Sequence, residues 1–208
     1  MAYMSMAETI YFFIYLIILL VASTATDSGT DYTTLGGTVT ITAGQTTADL
    51  DVTGIVDDAI VEADETVQLT VAAGTGYGVG TPASATGTIS NDDASTVTVA
   101  VAPASVDEDG VANLVYTFTR TNVDAGTPAL TVNFDVAGSA TLSGDYTTSG
   151  AATFTATGGT VTFGAGNATA VVDVNPTSDL VLEPNETVQL TVAAGNQYEV
   201  GGTPSASA

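Results

Sequence analysis

The chain has 208 residues and a formal net charge of −22, from 23 acidic side chains against a single base, Arg120. Histidine, cysteine, tryptophan and lysine are absent, which removes the usual general base, thiol nucleophile, Schiff-base amine and soft zinc ligands. The same composition removes the basic surface that nucleic acid requires and any disulfide framework, so neither an enzyme nor a nucleic-acid partner is expected.

Only 12% of the residues are charged, and Thr, Ala, Gly and Val dominate. That combination departs from the disordered signature of low hydrophobicity with dense charge and points to a secreted or cell-surface all-β protein. Taken in chain order, the first feature is "IYFFIYLIILLVA" at residues 10–22. Its length suits a signal-peptide core better than a membrane-spanning helix, which needs about 20 residues. Glu8 and the lack of a preceding base speak against a signal. A short membrane anchor, which would attach the protein to a membrane, and foreign sequence joined to a partial reading frame are the competing accounts.

After this segment the chain repeats itself at a spacing of about 120 residues. "SGTDYTT" returns as "SGDYTT", "GGTVTITAGQTTADLDV" as "GGTVTFGAGNATAVVDV", and "DETVQLTVAAG" as "NETVQLTVAAG". The second copy carries the insertion "SGAATFTA". Period-2 alternation of apolar and polar residues between Gly, Pro and Asn-Asp turns predicts strands at 38–42, 47–52, 66–72, 86–89, 96–101, 113–120, 129–136, 160–163, 169–174 and 187–193. Many short strands without a helical period indicate a β-sandwich. The expected organisation is an apolar segment at 1–25, a first repeat at 26–93 lacking its opening strands, and a second at 94–208 lacking its last. The chain stops at Ala208, level with Ala85 in this alignment.

"IVDDAIVEADETVQL" places Asp57, Asp58, Glu62, Asp64 and Glu65 within nine residues. Two carboxylates about 4 Å apart repel by roughly 4 kcal/mol at an effective dielectric of 20. A corner that gathers several must be protonated, splayed into water or neutralised by a cation. Hard oxygen donors of this kind suit Ca²⁺ better than Mg²⁺ or Zn²⁺. Glu62 and Glu65, three residues apart, would not share a face of a regular strand, so a bulge or turn is expected between them.

The ordered motifs Gly-x-Asp-Tyr, "GTVT", the acidic run before "ETVQL", and "TISNDD" resemble the Calx-β family over about residues 25–208. The resemblance implies an Ig-like Greek-key β-sandwich of about seven strands, with calcium bound by loops at one end. In the first copy it implies Asp31, Asp57, Asp58, the Ile60 carbonyl, Glu62, Glu65, Asp92 and Asp93 as ligands. In the second it implies Glu108, Asp145, Asp179, Glu183 and Glu186, with Ser178 standing where the first copy has Asp57. The expected function is a calcium-binding structural module of an adhesin-like surface protein, in which Ca²⁺ stiffens the ends of neighbouring repeats. The alternatives are a calcium-sensing module of a membrane protein and a fibre subunit completed by a donated strand.

Overall fold

The computed structural model describes residues 14–20, 23–27 and 29–208. They are all-β, with no helix among them. They form two compact units: one holds the described residues as far as Asp58 together with Asp64–Ser90, the other Ala59–Ala63 and Asn91–Ala208.

The first unit is one antiparallel sheet of four strands: β1 (Ile14–Leu20), β2 (Thr38–Ile41), β3 (Glu65–Val71) and β4 (Ser84–Ile89), ordered β2-β1-β3-β4. Its small core joins Ala25, Tyr32 and Val67, with Leu35, Val52, Leu69 and Ile89 packed against them. Residues 14–20 of the apolar run, for which the sequence leaves a signal-peptide core, a membrane anchor and foreign sequence open, form the inner strand β1, with Leu16 opposite Val39 and Ile18 opposite Val71. The remainder of that run lies outside the described residues.

The second unit is a two-sheet, Ig-like Greek-key sandwich. Its strands are β5 (Ser95–Ala102), β6 (Leu114–Arg120), β7 (Leu130–Gly138), β8 (Tyr146–Ser149), β9 (Thr153–Thr155), β10 (Gly158–Phe163), β11 (Thr169–Pro176), β12 (Val188–Val192), β13 (Tyr198–Val200) and β14 (Ser205–Ser207). One sheet runs β14-β12-β7-β10-β9 and the other β13-β5-β6-β11-β8. Strict alternation makes the core: Val97 and Val99, Tyr116 and Phe118, Val132 and Phe134, Val172 and Val174 all point inward from β5, β6, β7 and β11. Phe134 lies between Phe118 and Phe154, with ring centroids 5.5 Å from each. Phe154 comes from the insertion, which builds β9 and hairpins onto β10.

Equivalent pairings show the repeat in three dimensions. Leu20 stands opposite Leu69 as Val136 stands opposite Leu190, so β1 takes in the first sheet the place of β7 in the second. The Tyr198 hydroxyl donates to the Ala193 carbonyl at 2.7 Å and accepts from the Asn133 amide at 3.0 Å. Tyr77 makes the same pair of bonds with Ala72 and Ile17. In both copies a glycine three residues earlier lies under the ring: a Cβ on Gly195 would fall 2.2 Å from it.

Two sequence expectations change. Residues 47–52 form no strand; their counterpart β11 is held between β6 and β8, and the first unit offers neither among its described residues, so the alternation has no ladder to join. At the other end, Thr191 faces Ser205 as Thr70 faces Ser84. Ala208 is therefore level with Gly87 rather than Ala85, and β14 pairs with β12 as β4 pairs with β3.

Arg120 is buried, with its guanidinium bonded to the carbonyls of Asn167, Pro128 and Gly164 at 2.8–3.1 Å and stacked 5.2 Å from the Phe163 ring centre.

Replacing Tyr198 by Phe should strand the Asn133 amide and the Ala193 carbonyl and cost about 1–3 kcal/mol. Urea unfolding should show a lower midpoint with an unchanged slope.

Candidate metal centre

The second unit's acidic corner begins with the "SGDYTT" turn. Tyr146 is buried in the core, edge-on to Phe154 at 6.3 Å, and the alternation at the start of β8 turns the preceding Asp145 the other way. Ser143 takes the left-handed conformation, φ 69°, and donates its amide to the Tyr146 carbonyl at 2.8 Å. Asp145 Oδ2 accepts the Thr141 amide at 2.5 Å. The Asp145 carbonyl accepts the Thr177 amide at 2.8 Å, tying the loop after β11 to the turn.

That loop brings Glu183 and Glu186 to Asp145, with carboxylate oxygens of all three within 4.8 Å of one another. They line a pocket of about 450 Å³ together with Glu108, whose loop lies between β5 and β6. Glu108 Oε1 accepts the Asp179 amide at 3.1 Å, and Asp179 Oδ1 accepts the Val181 amide at 2.6 Å.

The electrostatics follow from this crowding. The Thr141 amide is the largest influence holding Asp145 below the ordinary aspartate range; burial opposes it, and hydrogen bonds with Glu186 and the Thr141 side chain add to it. Glu186 is pushed up, first by burial, then by its hydrogen bond to Asp145 and the charges of Asp145, Glu183 and Glu108. Glu183 is pushed up by burial and then by Asp145, Asp179 and Glu108. Such a group disfavours its own full ionisation and favours a cation. Its donors are hard oxygens, several of them anionic, which fits Ca²⁺.

Of the residues singled out from sequence, Asp145, Glu183 and Glu186 are brought together, with Glu108 on the same pocket. Asp179 lies beside them, its carboxylate turned to Val181. In the first copy, Asp31 accepts the Thr26 amide as Asp145 accepts that of Thr141. Asp57 and Asp58 are exposed in the loop before β3, and Glu65 opens that strand, with Glu62 outside it. Asp31, Asp57, Asp58 and Glu65 belong to the first unit, whereas Ile60, Glu62, Asp92 and Asp93 belong to the second. Sequence reasoning passes over Asp109, which lines the pocket and accepts the Ser178 hydroxyl at 2.5 Å. The signal for it is the "VDEDG" run itself, where Asp109 follows Glu108 directly.

A family model described as Calx-beta domain matches residues 9–93 and again 90–208. The chain belongs to the Calx-beta domain family. The first match takes in the apolar run that contains β1. No curated protein matches the chain. Solved structures that match include a crystal structure of CBD12 from CALX1.2, 14% identical, covering 94% of this chain and 86% of that one, with a TM-score of 0.34. Another is the calcium binding domain CBD12 of CALX1.1, 16% identical with the same coverage and a TM-score of 0.33. Both are distant likenesses.

The pH dependence of the Calx-beta corner follows from Glu186. A glutamate whose folded-state pKa is raised keeps its proton where the unfolded chain has lost it. The folded state therefore binds more protons above the ordinary value of 4.5, and stability falls as pH rises through the raised value. Asp145 acts in the opposite sense, losing stability as pH falls below its ordinary 3.8. In EDTA, the melting temperature of the native chain should fall more steeply from about pH 4.5 to neutrality than that of Glu186→Gln. Parallel curves would contradict the repulsion.

Proposed function

We propose that this chain is a calcium-binding structural module of a secreted or cell-surface repeat protein. Calcium held at domain ends would stiffen the array. The observation that carries the reading is the convergence of Asp145, Glu183 and Glu186 within 4.8 Å. The chain's one base cannot offset them, because Arg120 is bonded to three backbone carbonyls. Glu108 supplies a further carboxylate on the same pocket, and the Asp179 amide donates to it. The membership of both repeats in the Calx-beta family supports the choice of cation. The extracellular setting is supported by tandem repetition and by the acidity of the whole chain. The role is mechanical and non-enzymatic, with calcium and neighbouring repeats as partners. The first repeat's acids, Asp31, Asp57, Asp58, Glu62, Glu65, Asp92 and Asp93 with the Ile60 carbonyl, are proposed as ligands of the same kind.

Calorimetric titration of the 208-residue chain in chelator-stripped buffer should show saturable Ca²⁺ binding. The expected Kd is about 10⁻⁴ to 10⁻³ M, the range of extracellular modules. At about 100 times Kd, calcium should stabilise the folded state by about 2.7 kcal/mol, a rise in Tm on the order of 10 °C. Asp145→Asn and Glu186→Gln should each weaken binding while leaving the fold intact. No heat and no Tm shift up to about 10 mM Ca²⁺, beyond that affinity range, would make the corner a solvated acidic loop.

A further inference from the structure

The loop that carries Glu183 also carries "LVL", and its apolar side chains stand in solvent: Leu180 and Leu182 are fully exposed at 104% and 99%, Val181 at 62%. Exposed apolar residues in a row usually mark a contact surface. The chain contains its own control for what covers them. In the repeat alignment residues 180–182 match Ala59, Ile60 and Val61, which are apolar too. There, however, Ile60 and Val61 are half-buried. Residues Ala59–Ala63 belong to the second compact unit, apart from the sequence on either side of them.

The second unit holds that segment by two backbone hydrogen bonds. The Val61 amide donates to the Asn122 carbonyl at 3.0 Å, and the Glu62 amide donates to Asn91 Oδ1 at 2.9 Å. Both asparagines are set for the task by their surroundings. Asn91 Nδ2 donates to the Asp93 carbonyl at 2.9 Å, which directs its Oδ1 outward. Asn122 sits in the left-handed region at φ 59°, a conformation asparagine tolerates better than other side-chain-bearing residues. Its Nδ2 donates to the Ala94 carbonyl at 3.1 Å. The pair straddles the start of β5 and the end of β6, the opening hairpin of a module.

We infer that the Leu180–Val181–Leu182 loop is a docking surface for the opening hairpin of another module of this fold, which would receive it as Asn91 and Asn122 receive Val61 and Glu62. The Leu182 and Glu183 amides would be the donors, and the leucine side chains would be covered. This rests on the reading of the chain as a stretch of tandem modules, and it does not depend on calcium. It makes the acidic loop bifunctional, with carboxylates turned to the pocket and apolar residues turned to the neighbour.

The test compares the 208-residue chain with the same chain extended by a second copy of residues 88–208. Because Ala208 is level with Gly87, that extension continues β14 in register. Hydrogen exchange at residues 180–183 is measured by mass spectrometry in calcium and in EDTA. The exchange should slow by about tenfold or more in the extended chain, and a Leu180→Ser/Leu182→Ser double variant, changed only at exposed positions, should restore fast exchange. Protection in either buffer supports the docking; equal, fast exchange in both chains under both conditions overturns it. Calcium titration of the unextended chain reports separately on the metal reading, so either can fail alone.

Discussion

Burial of the Tyr146 ring against Phe154 is the contact on which the acidic corner depends. Neighbouring side chains on an extended backbone leave it on opposite sides, so anchoring the tyrosine in the core commits Asp145 to the pocket. The turn before it then supplies the Thr141 amide, which stabilises the aspartate as an anion, and the Asp145 carbonyl accepts the Thr177 amide, which draws in the loop bearing Glu183 and Glu186. One apolar contact thus organises three carboxylates that would separate if left to their own repulsion. The same logic recurs in the first repeat, where Tyr32 is buried and Asp31 accepts the Thr26 amide.

The two repeats share that turn yet differ in architecture, and the difference comes from partners rather than from local preference. Residues 47–52 and strand β11 have nearly the same pattern, but only β11 lies between two other strands. A strand is stable only when its amides and carbonyls find a ladder, so the same alternation yields regular structure in one place and an irregular segment in the other. The apolar residues of β1 show the converse. They carry no period-2 alternation, yet pairing with β2 and β3 satisfies the backbone and makes a strand of them.

This explains how much was legible in advance. Wherever period 2 coincided with an available neighbour, as in β5, β6, β7, β10 and β12, strand positions were readable to within a residue or two. The short strands β8, β9, β13 and β14 were not, because three or four residues carry too little pattern and depend on what they pair with. At the site, Asp145, Glu183 and Glu186 were legible from the repeated motif. The outward turn of Asp179 toward the Val181 amide was not, since a local hydrogen bond decides it. Nor was Asp109, whose bond to Ser178 joins loops 69 residues apart.

The placement of Arg120 completes the electrostatic picture. Leu114, at one end of β6, lines the acidic pocket, while Arg120 ends the same strand. At about 3.3 Å per residue they are roughly 20 Å apart, well beyond the Debye length of about 8 Å at physiological ionic strength. The guanidinium is also fully engaged by backbone carbonyls and an aromatic ring, where its charge serves packing at the far end of the sandwich. No other base exists to approach the pocket. Neutralisation of Asp145, Glu183 and Glu186 must therefore come from protons or from ions in the medium. The order of the corner then depends on the composition of the surrounding fluid.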